Sequence, residues 1–167
     1  TPDKHYVGVA WYQKKVTIPS NWKGERITLF LERPHIETTV WVNQQKLGMQ
    51  NSLCVPHVYD LTSAITPGKT CLITIRIDNR IKEINVGPDS HSITDQTQGN
   101  WNGIVGRIEL QATPKVHLED IQVYPDLSNQ KALVRMNIRS ASSTKGEITL
   151  SAASFNTDIQ HKVAPVH

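Results

Sequence analysis

The sequence predicts an all-β protein, and three observations support this prediction. Apolar and polar residues alternate with a period of two along most of the chain, as at Cys71, Ile73, Ile75 and Ile77. Such alternation is typical of half-buried strands, because successive side chains point to opposite faces of a sheet. β-Branched residues dominate these stretches, and turn-forming Pro, Gly and Asn separate them every ten residues or so, roughly the spacing of a sandwich or barrel. No window shows a sustained helical stripe of apolar residues, so the chain should fold as a β-sandwich.

The first part of the chain contains enough strands for one sandwich. Turn signals such as Pro19-Ser20-Asn21 and Thr66-Pro67-Gly68 separate the strands, and Asn43 begins a hairpin turn. The predicted strands are Tyr12–Ile18, Ile27–Leu31, the hairpin pair Thr39–Asn43 and Lys46–Gly48, Cys71–Ile77 and Arg107–Ala112. Short strands at this spacing favour a jelly roll over residues 1–113.

A second, incomplete domain follows the boundary at Thr113-Pro114. Three further alternating stretches are predicted as strands: His117–Tyr124, Ala132–Arg139 and Glu147–Ala153. An immunoglobulin-like sandwich needs about seven strands, and residues 114–167 supply only three or four. This region is therefore predicted to be the N-terminal part of an immunoglobulin-like β-sandwich, truncated at His167.

Composition describes a globular protein and excludes several classes. Of the 167 residues, 38% are hydrophobic and 20% are charged, unlike the composition of a disordered chain. The formal net charge is +3, but basic residues form only short runs such as Lys14-Lys15, so no nucleic-acid partner is predicted. No apolar run reaches the ~18 residues of a membrane span, and no signal-like segment opens the chain. The start at Thr1 predicts a processed or excised piece.

The two cysteines leave the redox state open. Cys71 lies in an alternating strand, where a buried thiol is expected, and Cys54 lies in a loop. A disulfide between them is the alternative to two free thiols.

One polar segment interrupts the alternation and contains the candidate site. Residues 82–103 show little strand pattern, and a loop of about 20 residues in a compact domain is usually functional or disordered. Trp101 offers a flat apolar face for a sugar ring, and amides offer paired donors and acceptors for hydroxyls. The alternative is that Trp101 fills one end of the core while nearby glycines only permit turns. The candidate sugar-contacting residues are Asp95, Gln98, Asn100, Trp101 and Asn102.

Other reactive residue types lack the spacing of a metal or catalytic site. His35, His57 and His91 do not have metal-ligand spacing, so no metal and no cofactor are predicted. Ser90, His91 and Asp95 are triad residue types but lie too close in sequence to converge, and no Gly-x-Ser-x-Gly elbow is present. A serine hydrolase is therefore not predicted.

Several segments, in order along the chain, resemble one family. Tyr6–Pro19 followed by Trp22–Ile27 resembles the opening of the sugar-binding domain of glycoside hydrolase family 2, the β-galactosidase and β-glucuronidase superfamily. Val40–Asn43 is similar to the family's V-W-V-N-G hairpin, with Gln44 in place of the usual glycine. Pro56–Thr62 resembles its F-D-V/L-T segment. The ordered combination of these motifs carries the resemblance, since each alone is weak.

The candidate site also has a counterpart in this family. Asn100–Gly106 occupies the place of the family's W-R-x-S-G-I-x-R motif, although Asn102 and Gly103 replace its Arg and the spacing is shorter. In family members an acidic residue of the preceding loop contacts sugar hydroxyls; its position here falls near Gly99, and Asp95 is the nearest carboxylate. This departure predicts a sugar other than galactose.

The resemblance implies a galactose-binding-domain-like jelly roll that precedes an immunoglobulin-like domain and a TIM-barrel catalytic domain. In that family the barrel supplies two glutamates for retaining hydrolysis, and the acid/base glutamate follows an Asn. None of the seven glutamates of this chain follows an Asn, so these residues alone should be catalytically silent. The implied partners are the carbohydrate substrate of the parent enzyme and its barrel and immunoglobulin-like domains. Export to the periplasm or the cell exterior is expected from the polysaccharide-degrading members.

Three functional classes follow from this sequence. The first is the accessory sugar-binding domain of a family 2 glycoside hydrolase, which packs on the barrel and shapes its substrate pocket. The second is an independent, lectin-like carbohydrate-binding module with Trp101 as its platform. The third is a purely structural sandwich. The ordered motifs favour the first class, and apolar residues exposed where the barrel would pack would separate it from the second.

Overall fold

The structure is a computed structural model that describes residues 6–53, 55–82, 90–91, 101–140 and 142–153. Its secondary structure is almost entirely antiparallel strand, which confirms the predicted all-β class. The chain divides into two compact units, residues 1–115 and residues 116–167. Among the described residues, no helix has the length and hydropathy needed to cross a bilayer.

Unit 1 is a β-sandwich of two antiparallel sheets. One sheet has the order β1-β6-β3-β4 and the other the order β5-β2-β7. A 3-10 turn at Ser20–Trp22 connects β1 to β2. The strands of this unit are β1 (Val9–Thr17), β2 (Arg26–His35), β3 (Glu37–Val42), β4 (Gln45–Asn51), β5 (His57–Asp60), β6 (Thr70–Asp78) and β7 (Gly103–Thr113).

The core lies between the two sheets and is built from the inward positions of each strand. Alternate residues of β2, β3 and β6 face one another, and β5 adds Tyr59. The members of this core that are at most 3% exposed are Ile18, Ile27, Leu29, Leu31, Val40, Val42 and Leu61. The core positions of β2 and β6 are those that the period-two pattern predicts to face inward.

The predicted hairpin is β3–β4, and Asn43 shapes its turn. Asn43 has a positive φ of 52°, a conformation that Asn tolerates better than most residues. Its side-chain Oδ1 accepts a hydrogen bond from the backbone N of Leu72 at 2.9 Å, and its own N donates to the carbonyl of Leu72 at 2.7 Å. The turn is therefore fastened to β6. Gln44 is not among the residues with positive φ, so its backbone does not require glycine.

The sandwich is open along one side. β1 and β7 are edge strands of the two sheets in the described part of the chain, and a cleft of about 800 Å³ lies between them. Core side chains such as Leu29 and Ile73 line this cleft. Tyr12 and Lys14 lie on the inward face of β1, opposite Ile75 and Ile73 in register, yet both are exposed. The apolar interior is thus accessible at this edge.

The pairing of β2 with β7 contains a β-bulge at Gly106. The register shifts between Leu31 and Arg33, so Gly106 and Arg107 together oppose Glu32. Glu32 Oε2 accepts hydrogen bonds from the backbone N of Arg107 at 2.8 Å and from its Nε at 3.1 Å. These bonds hold the pKa of the Glu32 carboxyl below its ordinary value. Gly106 has φ 85°, as glycine commonly has in such bulges.

Substitution of Gly106 by Ala is expected to lower the free energy of unfolding by about 1–2 kcal/mol, through left-handed strain and steric contact. A Cβ at this position would lie 2.7 Å from Glu32 Oε2 and 3.2 Å from Glu32 Cβ. The matched control is Gly24→Ala, because Gly24 has φ 90° and no atom near its Cβ position. Urea denaturation should show the larger loss for Gly106→Ala, and equal losses would contradict the steric part of this account.

The described residues of unit 2 form one hairpin, β8 (His117–Asp126) with β9 (Lys131–Arg139). Large apolar side chains on both strands remain exposed, among them Val123 and Leu133. A two-stranded ribbon has no second layer against which to bury them. The predicted strand Glu147–Ala153 is wrong in the described residues, where only Leu150 and Ala153 are isolated bridge residues. Its alternating side chains have no extended partner strand there. Assignment of residues 114–167 to an immunoglobulin-like domain stays a prediction.

Candidate functional site

The candidate site lies at the end of unit 1 where β6 finishes and β7 begins. Asn79 follows β6 and Asn102 precedes β7, so these two residues mark the base of the long polar segment. Asn79 Nδ2 donates to Asn102 Oδ1 at 2.9 Å. Both amides also donate to the carbonyl of Tyr6, at 2.6 Å from Asn79 and 3.1 Å from Asn102. We call Tyr6, Asn79 and Asn102 the asparagine junction.

Further backbone bonds fix the asparagine junction to both neighbouring strands. Asn79 Oδ1 accepts from the backbone N of Gly8 at 2.7 Å, and the N of Asn79 donates to the carbonyl of Gly8 at 3.2 Å. Asn102 Oδ1 also accepts from the N of Gly103 at 3.0 Å. Gly103 has φ 74°, and a Cβ there would lie 2.6 Å from the hydroxyl of Tyr12. Hydrogen bonds thus hold together the two ends of the segment between residues 79 and 102.

Trp101 packs at this end of the sandwich. Its ring meets the ring of His35 edge-on, with centroids 5.6 Å apart and an interplanar angle of 80°. The indole is half-buried, and its Nε1 is buried without a hydrogen-bond partner among the described residues. This placement agrees with a core-closing role, and a sugar-contacting role for Trp101 stays a prediction.

The structure brings together two of the five predicted site residues. Trp101 and Asn102 adjoin one another at the asparagine junction, where the Asn102 amide is occupied by protein partners. Asp95, Gln98 and Asn100 lie outside the described residues.

An ion-pair cluster that the sequence analysis missed lies beside the asparagine junction. β3 and β6 pair Glu37 with Asp78 in register, and both carboxylates bind cations from residues 76–82. Arg80 Nε and Nη2 bind Asp78 at 2.8 and 2.7 Å, and Arg76 bridges Asp78 at 3.0 Å and Glu37 at 2.7 Å. Lys82 Nζ lies 2.9 Å from both carboxylates. We call these five residues the ionic cluster.

The ionic cluster keeps its carboxylates charged. Asp78 is completely buried, yet hydrogen bonds from Arg80 and Lys82 hold its pKa far below the ordinary value against the opposing effect of burial. Hydrogen bonds from Lys82 and Arg76 likewise lower the pKa of Glu37. A general acid must be protonated near working pH, so neither carboxylate suits the acid/base role of a glycosidase. The sequence signal that could have revealed the cluster is the charge at every second position from residue 76 to 82.

His57 and Tyr59 form a separate buried network with Thr38. Thr38 Oγ1 lies 2.6 Å from His57 Nδ1 and 2.7 Å from Tyr59 Oη, and Tyr59 Oη donates to the carbonyl of Thr38 at 2.9 Å. His57 Nε2 reaches the carbonyl of Ser52 at 3.2 Å. Burial lowers the pKa of His57 and raises that of Tyr59, so both side chains are neutral near pH 7. This network joins β3 to β5 and has the structural role expected of His57.

Metal ligands are not gathered in the part of the chain that the structure describes, where no group of three or more His, Cys, Asp or Glu side chains could hold an ion. Cys71 is a buried free thiol, and burial raises its pKa. Cys54 lies outside the described residues.

Solved structures share this fold. The chain aligns with the β-D-glucuronidase of Dictyoglomus thermophilum at a TM-score of 0.63 and 26% identity, over 81% of this chain and 26% of that protein. It aligns with a β-glucuronidase of Faecalibacterium prausnitzii at a TM-score of 0.69 and 22% identity, over 96% of this chain and 30% of that protein. The second likeness supports the fold alone.

Sequence relatives and a family match complete the comparison. The β-glucuronidase of Paenibacillus borealis is 23% identical over 159 residues, covering 87% of this chain and 26% of its own length. The human β-glucuronidase is 24% identical over 156 residues, covering 81% and 24%. The chain thus spans about a quarter of the length of the curated relatives it matches. The family described as glycosyl hydrolases family 2, sugar binding domain, matches residues 2–114. These residues confirm the resemblance drawn from the sequence, and the chain belongs to the sugar-binding domain family of glycoside hydrolase family 2.

Proposed function

We propose that this chain is the non-catalytic sugar-binding part of a larger glycoside hydrolase that cleaves β-linked uronides. The asparagine junction carries the proposal, because it fixes the base of a polar segment at one end of the sandwich. A segment anchored in this way can place sugar-contacting groups at the rim of a neighbouring pocket while the sandwich stays rigid. The relatives described above are named β-glucuronidases, and these names support a uronide as substrate.

In this proposal, catalysis belongs to another domain of the parent enzyme. The close carboxylate pair of the ionic cluster, Glu37 and Asp78, is engaged by three cations and remains ionised. The chain therefore contributes position and recognition, and a barrel domain contributes the acid/base and nucleophile. Export of the parent enzyme remains part of this proposal.

The test compares the 167-residue chain with the complete protein encoded by the same gene. The complete protein is expected to release 4-nitrophenol from its β-D-glucuronide faster than from its β-D-galactoside, and the chain alone is expected to release none. In the complete protein, Asn102→Ala should raise KM by roughly threefold to tenfold with little change in kcat, because it loosens the rim and leaves the reacting groups in place.

A matched control is available in unit 2. Asn129 Nδ2 donates to Asp126 at 2.7 Å in an exposed turn, so Asn129→Ala removes a comparable amide from the other unit. Its kinetics should equal those of the parent. Turnover by the 167-residue chain alone, or an unchanged KM in Asn102→Ala, would overturn the proposal.

A further inference from the structure

The outward face of the four-stranded sheet has a tryptophan pair, in which Trp11 is exposed and Trp41 is half-buried. Trp11 on β1 and Trp41 on β3 reach across the intervening strand β6, with ring centroids 5.5 Å apart and planes inclined by 34°. Together they cover Thr74, which is buried although it points outward, and Gln13 Nε2 donates to its hydroxyl at 3.0 Å. Trp11 nevertheless keeps 59% of its surface exposed. We call Trp11, Gln13, Trp41 and the neighbouring Met49 the tryptophan face.

The tryptophan face presents a contiguous apolar surface. Met49 lies beside Thr39 in register and is 54% exposed, so a thioether continues the aromatic surface across the sheet. Native proteins usually keep large exposed apolar side chains scattered, and a contiguous group rimmed by polar residues marks a binding surface. A partly exposed indole with an amide beside it is suited to the apolar face and hydroxyl edge of a pyranose ring.

Cations border the tryptophan face on two sides. Lys46 lies opposite Trp41 in register, and Lys15 lies two residues beyond Gln13 on the same face of β1. On the other side Arg76 lies opposite Trp11 and connects the face to the ionic cluster, where Arg80 and Lys82 remain 50% and 40% exposed. Lys15 and Lys46 thus flank the tryptophan face. The three cations of the ionic cluster lie on the side of Arg76, where they share the two carboxylates of Glu37 and Asp78.

We propose that the tryptophan face is a second binding surface, separate from the candidate site, for an acidic saccharide chain. One pyranose ring stacks on Trp11, and uronate carboxylates of neighbouring sugars pair with the flanking cations. The choice of a saccharide rests on the proposed function of the parent enzyme. Charge density also favours it over nucleic acid: a uronate chain carries at most one charge per sugar, whereas DNA carries one per ~1.7 Å of helix axis. The cations beside the tryptophan face are interleaved with two carboxylates, so they match the lower charge density of a uronate chain better than that of DNA.

Affinity electrophoresis of the 167-residue chain through gels containing polygalacturonate, with dextran as the neutral polymer, tests this proposal. Polygalacturonate should retard the chain and dextran should not, and added NaCl should weaken the retardation because the cations are exposed. Trp11→Ala should weaken binding by about tenfold, with Trp11→Tyr falling between the two. Lys15→Gln combined with Lys46→Gln should reduce both the affinity and its dependence on salt.

Phe30→Ala provides the matched control. Phe30 lies on β2 in the other sheet, where the Arg107 guanidinium stacks 4.9 Å from its ring centroid, so this variant also removes an aromatic beside a cation. Its retardation should equal that of the parent chain. No retardation by polygalacturonate, retention of full binding in Trp11→Ala and Trp11→Tyr, or equal binding of single-stranded DNA of matched charge would each overturn the proposal. Because these readouts need no turnover, they fail independently of the proposed function.

Discussion

Asp78→Ala is expected to lower the free energy of unfolding of the chain by about 3 kcal/mol, near the lower end of the cost of breaking a buried ion pair. The Asp78 carboxylate is fully buried and accepts bonds from Arg76, Arg80 and Lys82. Its removal leaves Glu37 as the one carboxylate of the ionic cluster facing three cations. Urea denaturation at pH 7, followed by tryptophan fluorescence, measures the loss.

The matched control for Asp78→Ala is Asp60→Ala. Asp60 pairs with Arg26 at 3.0 Å, but both side chains are substantially exposed, and surface pairs contribute at most about 1 kcal/mol. Equal losses in the two variants would show that burial does not strengthen the ionic cluster.

The stability difference between the parent chain and Asp78→Ala is expected to become smaller at low pH. Because the cations depress the pKa of Asp78 in the folded state, its contribution is complete above the unfolded value of about 3.9. As pH falls below that value, Asp78 is protonated in the unfolded chain but stays ionised in the folded chain. Its contribution to the free energy of unfolding therefore declines. The difference between parent and Asp78→Ala should therefore be constant from pH 7 to about 5 and should shrink below about 4.

Thr38→Val is expected to lower the free energy of unfolding by about 2 kcal/mol, with almost no change in side-chain volume. The hydroxyl of Thr38 serves both His57 Nδ1 and Tyr59 Oη, and valine would leave two buried polar groups with fewer partners. Thr17→Val is the control, since the Thr17 hydroxyl meets that of Thr70 at 2.8 Å on the surface. A loss below 0.5 kcal/mol is expected for it, as for most surface substitutions.

A double-mutant cycle with Tyr59→Phe isolates the coupling within this network. The two changes should be non-additive by about 0.5–1 kcal/mol, because they share one hydrogen bond. Strict additivity would mean that Thr38 acts through His57 alone. Burial lowers the pKa of His57, so the parent chain should lose stability as pH falls below the unfolded value of about 6.5, where only the unfolded histidine takes up a proton.

The sequence reveals the strands because burial on one face of a sheet imposes a period of two. β2, β6 and β7 each contain a predicted strand, and β7 extends it back to Gly103. β1 covers its predicted strand from Tyr12 to Thr17 and leaves Ile18 outside. The prediction Glu147–Ala153 was wrong because alternation records which side chains are apolar, and a strand also needs a partner. β5 carried too few alternating residues to be recognised as a strand by its period.

The pairing of the two carboxylates of the ionic cluster could not be predicted, for a different reason. Glu37 and Asp78 are 41 positions apart, and only the register of β3 with β6 makes them neighbours. The Gly106 bulge is also set by register, since it depends on the shift opposite Glu32. At the candidate site, residue types alone indicated Trp101 and Asn102, but could not show that the Asn102 amide is engaged by Asn79 and Tyr6.

The asparagine junction has an evolutionary consequence. Asn79 and Asn102 bond to each other and to Tyr6, so the sandwich holds together the two ends of the intervening segment. Just inside these ends, Lys82 binds Asp78 and Trp101 packs against His35. Doubling the length of a flexible loop between fixed ends costs only about 0.6 kcal/mol. Changes of length between Lys82 and Trp101 should therefore cost the framework little, because both ends of the segment stay fixed. One segment that determines specificity can therefore replace another there in the course of evolution.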